Sequence, residues 1–141
     1  PMEALKSLAG KWHLAGADRK ADAPADFEFK VSSGGSAIVE TMFPGTPKEM
    51  TNVYTLDGND VLVTHYCAAG NAPRMKLTHN ENGTMTFDFV DATNLPDKNK
   101  MYMGKLELKF VGPDQVQQTW TSFLNGQPPE QPMTMTLERA K

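Results

Sequence analysis

Residues 84–89 read Thr-Met-Thr-Phe-Asp-Phe, so polar and apolar side chains alternate at every position. The same alternation occurs at residues 27–31, Phe-Glu-Phe-Lys-Val, and at residues 133–137, Met-Thr-Met-Thr-Leu. A period of two places successive side chains on opposite faces of an extended strand, whereas a helix needs a period of about 3.6. These segments therefore predict β-strands with one buried face and one solvent-facing side.

Turn-forming residues separate the alternating segments at short, regular intervals. Gly, Asn, Asp, Ser and Pro cluster at residues 32–35, 57–60, 80–83, 112–114 and 125–127. These residue types tolerate positive φ or preset a turn, as hairpin connections require. The predicted strands lie near residues 10–16, 26–32, 36–43, 49–56, 60–66, 73–79, 84–90, 100–111, 115–123 and 132–139. Only residues 3–8 read as a helical turn or two, with Leu5 and Leu8 on one side.

The spacing of the strands decides the fold class. Because the connections are too short for crossover helices, neighbouring strands must be antiparallel. A meander of about ten strands has two exposed edges unless it closes on itself. The sequence therefore predicts an all-β fold, an antiparallel up-and-down β-barrel with a short N-terminal helix at one end, as a single domain over residues 1–141. Residues 17–25, 43–48 and 91–99 are predicted to be rim loops, the last of them a lid.

Composition excludes several classes of partner. Fourteen Lys and Arg against 17 Asp and Glu give a net charge of -3, and no basic cluster exceeds two neighbours. Nucleic acid is therefore not an expected partner. No apolar run approaches the roughly 18 residues of a membrane span, which predicts a soluble protein. A first residue Pro1 fits either a removed leader or an excised initiator methionine, so both a periplasmic or secreted and a cytoplasmic location stay open.

Cysteine and histidine usage gives no sign of a metal or cofactor. Cys67 is the single cysteine, so no internal disulfide is possible, and no Cys/His pair has zinc spacing. His13, His65 and His79 lie on separate predicted strands without a ligand-spacing motif. We therefore predict neither a metal site nor a cofactor.

The same alternation sorts side chains between the lumen and the outside of the barrel, and it places His79 on the lumen side with Met75 and Leu77. Barrels of about eight strands are already wide enough for a small ligand, so ten are predicted to enclose a cavity. Polar residues fall on inward or ambiguous positions among the apolar ones, and Glu40 joins them beside Ile38 and Met42. Such groups must pair with each other, with water or with the polar end of a ligand. The predicted ligand-binding residues are Phe29, Tyr54, His65, Phe87, Phe89, Tyr102, Leu108, Gln118 and Trp120.

Two motifs carry a family resemblance. Gly10-Lys11-Trp12 opens the first strand and Arg139 lies in the last, which resembles the Gly-x-Trp and closing basic residue of calycins and lipocalins. That resemblance implies a barrel closed at one end by Arg139 over the Trp12 indole. Residues 63–75, Val-Thr-His-Tyr-Cys-Ala-Ala-Gly-Asn-Ala-Pro-Arg-Met, resemble the signature of the lipocalin-like bacterial domains grouped as DUF1579, for which the resemblance implies a fold and no established activity.

His65 and Cys67 each have a structural and a functional interpretation. His65 is either a satisfied structural histidine or a hydrogen-bonding group or general base in the pocket. Cys67 is either a small buried thiol or a nucleophile assisted by His65, although no protease-like signature surrounds it.

Three alternative functions are consistent with the sequence. In the first, the barrel binds a small, mostly hydrophobic molecule, with His65, Tyr54 and Gln118 orienting its polar end. In the second, the same cavity holds an isomerase, lyase or hydrolase in which His65 is the general acid or base and Tyr54 or Tyr102 stabilises negative charge. In the third, the interior is completely filled by side chains and the domain is a structural or interaction module.

Overall fold

The strands of the barrel follow the alternating segments closely. A computed structural model describes residues 1–16, 19–20, 22–97, 100–127 and 131–141. Its helix and strands are α1 (Met2–Lys6), β1 (Gly10–Leu14), β2 (Phe27–Ser32), β3 (Ala37–Met42), β4 (Met50–Asp57), β5 (Asp60–Tyr66), β6 (Ala72–Glu81), β7 (Thr84–Thr93), β8 (Tyr102–Gly112), β9 (Gln115–Phe123) and β10 (Met133–Arg139).

The ten strands form a closed barrel. Each strand pairs antiparallel with its neighbour in sequence, and β1 pairs with β10 through Trp12↔Arg139, His13↔Glu138 and Leu14↔Leu137. The predicted all-β, antiparallel up-and-down barrel with a short N-terminal helix is therefore confirmed. Closure leaves every strand with two hydrogen-bonded neighbours, which removes the exposed edges of an open sheet.

The two ends of the barrel differ in their connections. Tight turns at residues 33–36, 58–59, 82–83 and 113–114 lie at one end, which we call the closed end. In the turn at residues 82–83, Asn82 and Gly83 have φ values of 54° and 78°, and positive φ at both positions is typical of a two-residue hairpin turn of type I′. The longer connections, those that follow β1, β3, β5, β7 and β9, begin and end at the opposite end, which we call the mouth.

Helix α1 and Arg139 seal the closed end. Leu5 and Leu8 are buried in the core, and the indole Nε1 of Trp12 donates a hydrogen bond to the backbone oxygen of Leu8 at 2.8 Å. The guanidinium carbon of Arg139 lies 4.4 Å from the centre of the Trp12 ring. Arg139 also donates hydrogen bonds to the backbone oxygens of Ser7 at 2.8 Å and Ala9 at 2.9 Å. The contact expected between Trp12 and Arg139 is present, and it attaches the N-terminal segment to the last strand.

Two expectations about particular segments are wrong. His79 was expected to face the lumen, but it is exposed, because the register shifts between Leu77 and His79 and the inward-outward alternation of β6 breaks there. The connection expected at residues 91–99 begins at residue 94 instead, since β7 continues to Thr93 and pairs with β6, and its role as a lid stays a prediction. Residues 98–99 of that connection, and residues 17, 18 and 21 of the first rim loop, lie outside the described residues.

Candidate functional site

Three polar side chains form a row on the inner face of the barrel. Glu40 on β3 pairs in register with Asn52 on β4, and Asn52 pairs with His65 on β5. Directly opposed residues in an antiparallel sheet project to the same face, so one buried member implies that the others face inward too. All three residues are buried, with exposed fractions of at most 1%.

Glu40 lies at the centre of a hydrogen-bond network. Its Oε1 accepts hydrogen bonds from Asn52 Nδ2 and from the Tyr54 hydroxyl, both at 2.9 Å. Its Oε2 accepts one from Gln118 Nε2 at 2.5 Å. Burial raises the pKa of Glu40 above its ordinary value, and the three donated hydrogen bonds oppose that rise. Burial, together with the neighbouring Glu40, also raises the pKa of Tyr54 well above its ordinary value.

The network crosses the lumen. Gln118 and Trp120 lie on β9, which is separated from β3 by β2, β1 and β10 in the closed barrel. Gln118 nevertheless reaches Glu40, and its Oε1 accepts a hydrogen bond from Trp120 Nε1 at 3.0 Å. The Trp120 ring lies 4.6 Å from the His65 ring, centre to centre. Side chains therefore occupy this part of the lumen, where the sequence predicted open cavity.

His65 has one nitrogen inside this network and one outside it. Its Nδ1 lies 2.6 Å from Asn52 Oδ1. Its Nε2 is buried and has no hydrogen-bond partner among the described residues. Burial lowers the pKa of His65 to about 4, so the ring is neutral at physiological pH. A neutral imidazole has one N–H and one lone pair, and leaving a buried lone pair unpaired costs about 1–3 kcal/mol.

The predicted ligand-binding residues divide into three groups. Tyr54, His65, Gln118 and Trp120 belong to the polar network or touch it, whereas Phe29, Phe87 and Leu108 pack in the hydrophobic core. Tyr102 is buried and Phe89 half-buried, and their rings lie 4.9 Å apart. The structure brings Tyr54, His65, Gln118 and Trp120 together, and whether any of the nine contacts a ligand stays a prediction.

Tyr54 and Gln118 form hydrogen bonds within the network, and their expected role stays a prediction. Both were expected to orient the polar end of a ligand. The Tyr54 hydroxyl proton is engaged by Glu40, and Gln118 is engaged by Glu40 at its nitrogen and by Trp120 at its oxygen. They hold the network together, and His65 Nε2 is the buried network atom that has no hydrogen-bond partner among the described residues.

Asn52 was missed by the sequence analysis. It lies two residues before Tyr54 on the same strand, so alternation alone places both side chains on one face. That signal was available for Asn52 as it was for Glu40. The sequence analysis also found no orienting group for His65, and the structure supplies one in Asn52, which Glu40 holds in turn.

The mouth carries a separate group of aromatic side chains. Phe123 stacks on Tyr102 with ring centres 5.8 Å apart and an interplanar angle of 18°. It also lies against Gly104, where a Cβ would clash with its Cδ1 atom. In the described part of the chain, pairing between β7 and β8 ends at Asp88↔Lys105, so these strands separate toward the mouth.

Other features lie outside the network. A groove of about 910 Å³ on the outside of the barrel is lined by charged side chains, among them Arg19, Asp114 and Glu138, and contains none of the predicted site residues. Cys67 is a free, half-buried thiol. Within the described ranges, no group of three His, Cys, Asp or Glu side chains is arranged to hold a metal ion. No helix among the described residues has the length and hydrophobicity needed to cross a bilayer.

Comparison of the chain with protein-family models and with curated proteins finds no match.

Proposed function

We propose that the barrel binds a small, mostly hydrophobic molecule on the mouth side of the Glu40 network, with the polar end of the molecule against His65 Nε2. The unpartnered, buried Nε2 atom carries this proposal. Every other side-chain polar atom used by the network has a partner. A mostly apolar lumen with one directed polar group is typical of small-molecule sites.

The mouth offers both apolar contacts and an entry route for a ligand. Phe89, Tyr102 and Phe123 provide aromatic surface at this end of the barrel. Near the mouth, side chains rather than backbone hydrogen bonds lie between β7 and β8. Side chains move faster, and at a lower free-energy cost, than a hydrogen-bonded strand pair opens. A ligand entering between these strands would replace aromatic contacts without breaking the barrel.

The resemblance to calycins, lipocalins and DUF1579-type domains is part of the same proposal. The position of Arg139 over Trp12 supports it, because that contact is what the resemblance implies for the closed end. The closed ten-strand barrel is compatible with ligand binding in a lumen.

An enzyme in the same site is the second candidate. Asn52 orients the His65 ring and leaves Nε2 free, which is the arrangement of a positioned general base. A pKa of about 4 makes the imidazole a weak base and leaves almost none of it protonated at pH 7. Base efficiency rises with pKa, so the geometry favours a hydrogen-bond acceptor for a bound molecule over an acid–base catalyst.

Probe binding tests the proposal. We expect N-phenyl-1-naphthylamine to bind with saturable, one-to-one fluorescence enhancement and to quench tryptophan emission, since Trp120 adjoins His65. Replacement of His65 by Phe should weaken binding of the probe. Replacement of the exposed His79 by Phe is the matched control and should leave probe binding unchanged. Absence of saturable probe binding, together with no retained small molecule in native mass spectra of protein from its natural source, would contradict ligand binding.

A further inference from the structure

The direction of each hydrogen bond in the network can be assigned by starting from a group that can only donate. The indole Nε1 of Trp120 carries a hydrogen and accepts none. The Gln118 atom facing it at 3.0 Å must therefore be Oε1, which leaves Nε2 of Gln118 directed at Glu40 Oε2. Glu40 Oε2 is thus an acceptor.

The same reasoning continues from Glu40 to His65. The amide nitrogen of Asn52 lies 2.9 Å from Glu40 Oε1 and 3.3 Å from the Met42 sulfur, and both of these atoms are acceptors. Reversing the amide would place its oxygen against the carboxylate and the sulfur. The oxygen of Asn52 therefore faces His65, and Nδ1 of His65 must carry the hydrogen that it shares with Asn52 at 2.6 Å. In a neutral ring, Nε2 then has a lone pair and no hydrogen.

Resting on the proposed function, we propose that the ligand presents a neutral hydrogen-bond donor, a hydroxyl or N–H group, to His65 Nε2, and that carboxylates are excluded. A carboxylate oxygen has no hydrogen to give, so it would oppose the Nε2 lone pair. No Lys or Arg side chain in the described part of the chain forms a hydrogen bond or ion pair with Glu40 or His65. A ligand carboxylate buried beside Glu40 would therefore lack a counter-charge, which is costly in a low-dielectric interior. The ligand class is an apolar alcohol, phenol or neutral N–H compound.

Three ligands of matched size separate the possibilities. Octan-1-ol and methyl heptyl ether are isomers that differ in whether the oxygen bears a hydrogen, and octanoate has the same number of carbons with a charged end. At pH 7, we expect octan-1-ol to bind about five- to tenfold more tightly than the ether in displacement of N-phenyl-1-naphthylamine. This is the factor given by the net contribution of one neutral hydrogen bond. Octanoate should bind most weakly of the three.

Replacing His65 by Phe should bring octan-1-ol and the ether to equal affinity, while the His79→Phe control should keep the difference. If the His65→Phe protein does not fold, ¹⁵N NMR of the unmodified protein gives an independent answer, because Nε2 should show the downfield shift of a nitrogen without hydrogen. Octanoate binding as tightly as octan-1-ol, equal binding of alcohol and ether to the unmodified protein, or a protonated Nε2 at pH 7 would each overturn the inference while leaving ligand binding intact. Failure of the probe to bind, together with no small molecule retained in native mass spectra, would instead remove the proposed function, and this inference with it.

Discussion

The pH dependence of stability should show that the His65 ring is buried and neutral. The pKa of His65 is about 4 in the folded protein and 6.5 in its unperturbed state. The folded state therefore binds this proton less tightly than the unfolded state does. The stability associated with a neutral His65 is fully present above pH 6.5 and is lost as the pH falls toward 4. Each tenfold difference in proton affinity corresponds to about 1.4 kcal/mol, so the loss between pH 7 and pH 4 approaches about 3 kcal/mol.

A non-titrating variant isolates this contribution. In His65→Asn, the side-chain amide can still donate toward Asn52 Oδ1, and Glu40 is present in both proteins, so its own titration cancels to first order. Urea unfolding followed by tryptophan fluorescence, at pH values from 7 down to 4, gives the free energy of unfolding of both proteins. We expect the advantage of the unmodified protein over His65→Asn to shrink by about 3 kcal/mol across that range.

The matched control is His79→Asn, because His79 is an exposed histidine on the outside of β6. Its stability difference from the unmodified protein should change far less with pH. A difference between the unmodified protein and His65→Asn that stays constant from pH 7 to 4 would refute the reasoning. So would an NMR titration in which the His65 ring protonates near pH 6.5.

Three further changes test the network and the two ends of the barrel. Because burial raises the pKa of Glu40, the folded state binds its proton more tightly than the unfolded state does. The unmodified protein should therefore gain stability relative to Glu40→Gln as the pH falls from 7 toward 4.5. Equal differences in urea midpoint at pH 7 and pH 5 would argue against this. Arg139→Lys removes the planar group over Trp12 and should cost about 1–2 kcal/mol in urea unfolding, and an unchanged midpoint would contradict that role. Gly104→Ala forces the Phe123 ring to move and should cost about 1–3 kcal/mol with an altered near-ultraviolet circular dichroism spectrum, whereas an unaltered spectrum and stability would mean that the ring is not held there.

The strands could be predicted from the sequence because their information is local. Alternation and turn residues act within a few positions, and all ten predicted strands are present with ends shifted by a few residues. The prediction was wrong where a local irregularity intervened. The register shift at Leu77 and His79 breaks a period of two without leaving a mark in the residue pattern, and it turned His79 outward.

The network could be predicted only in part. Alternation placed Tyr54, His65 and Gln118 on the inner face, and it would have placed Asn52 there too. It could not pair Gln118 with Glu40, because those residues are 78 positions apart and their contact depends on closure of the barrel. Which atoms of Gln118 and Asn52 point in which direction is a further step, which required the donor of Trp120 and the acceptors around Asn52.

The proposed binding site and a purely structural polar core differ in whether every buried polar atom is paired. A structural network reaches its lowest free energy when every buried donor and acceptor is paired within it, because each unpaired group costs about 1–3 kcal/mol. Around Glu40, the Tyr54 hydroxyl and both ends of the Gln118 amide meet that condition. His65 does not, since one nitrogen is held by Asn52 and the other has no partner among the described residues. The unpaired atom, His65 Nε2, is therefore the one that the rest of the network orients. A bound hydroxyl or N–H group would give it a hydrogen-bond partner.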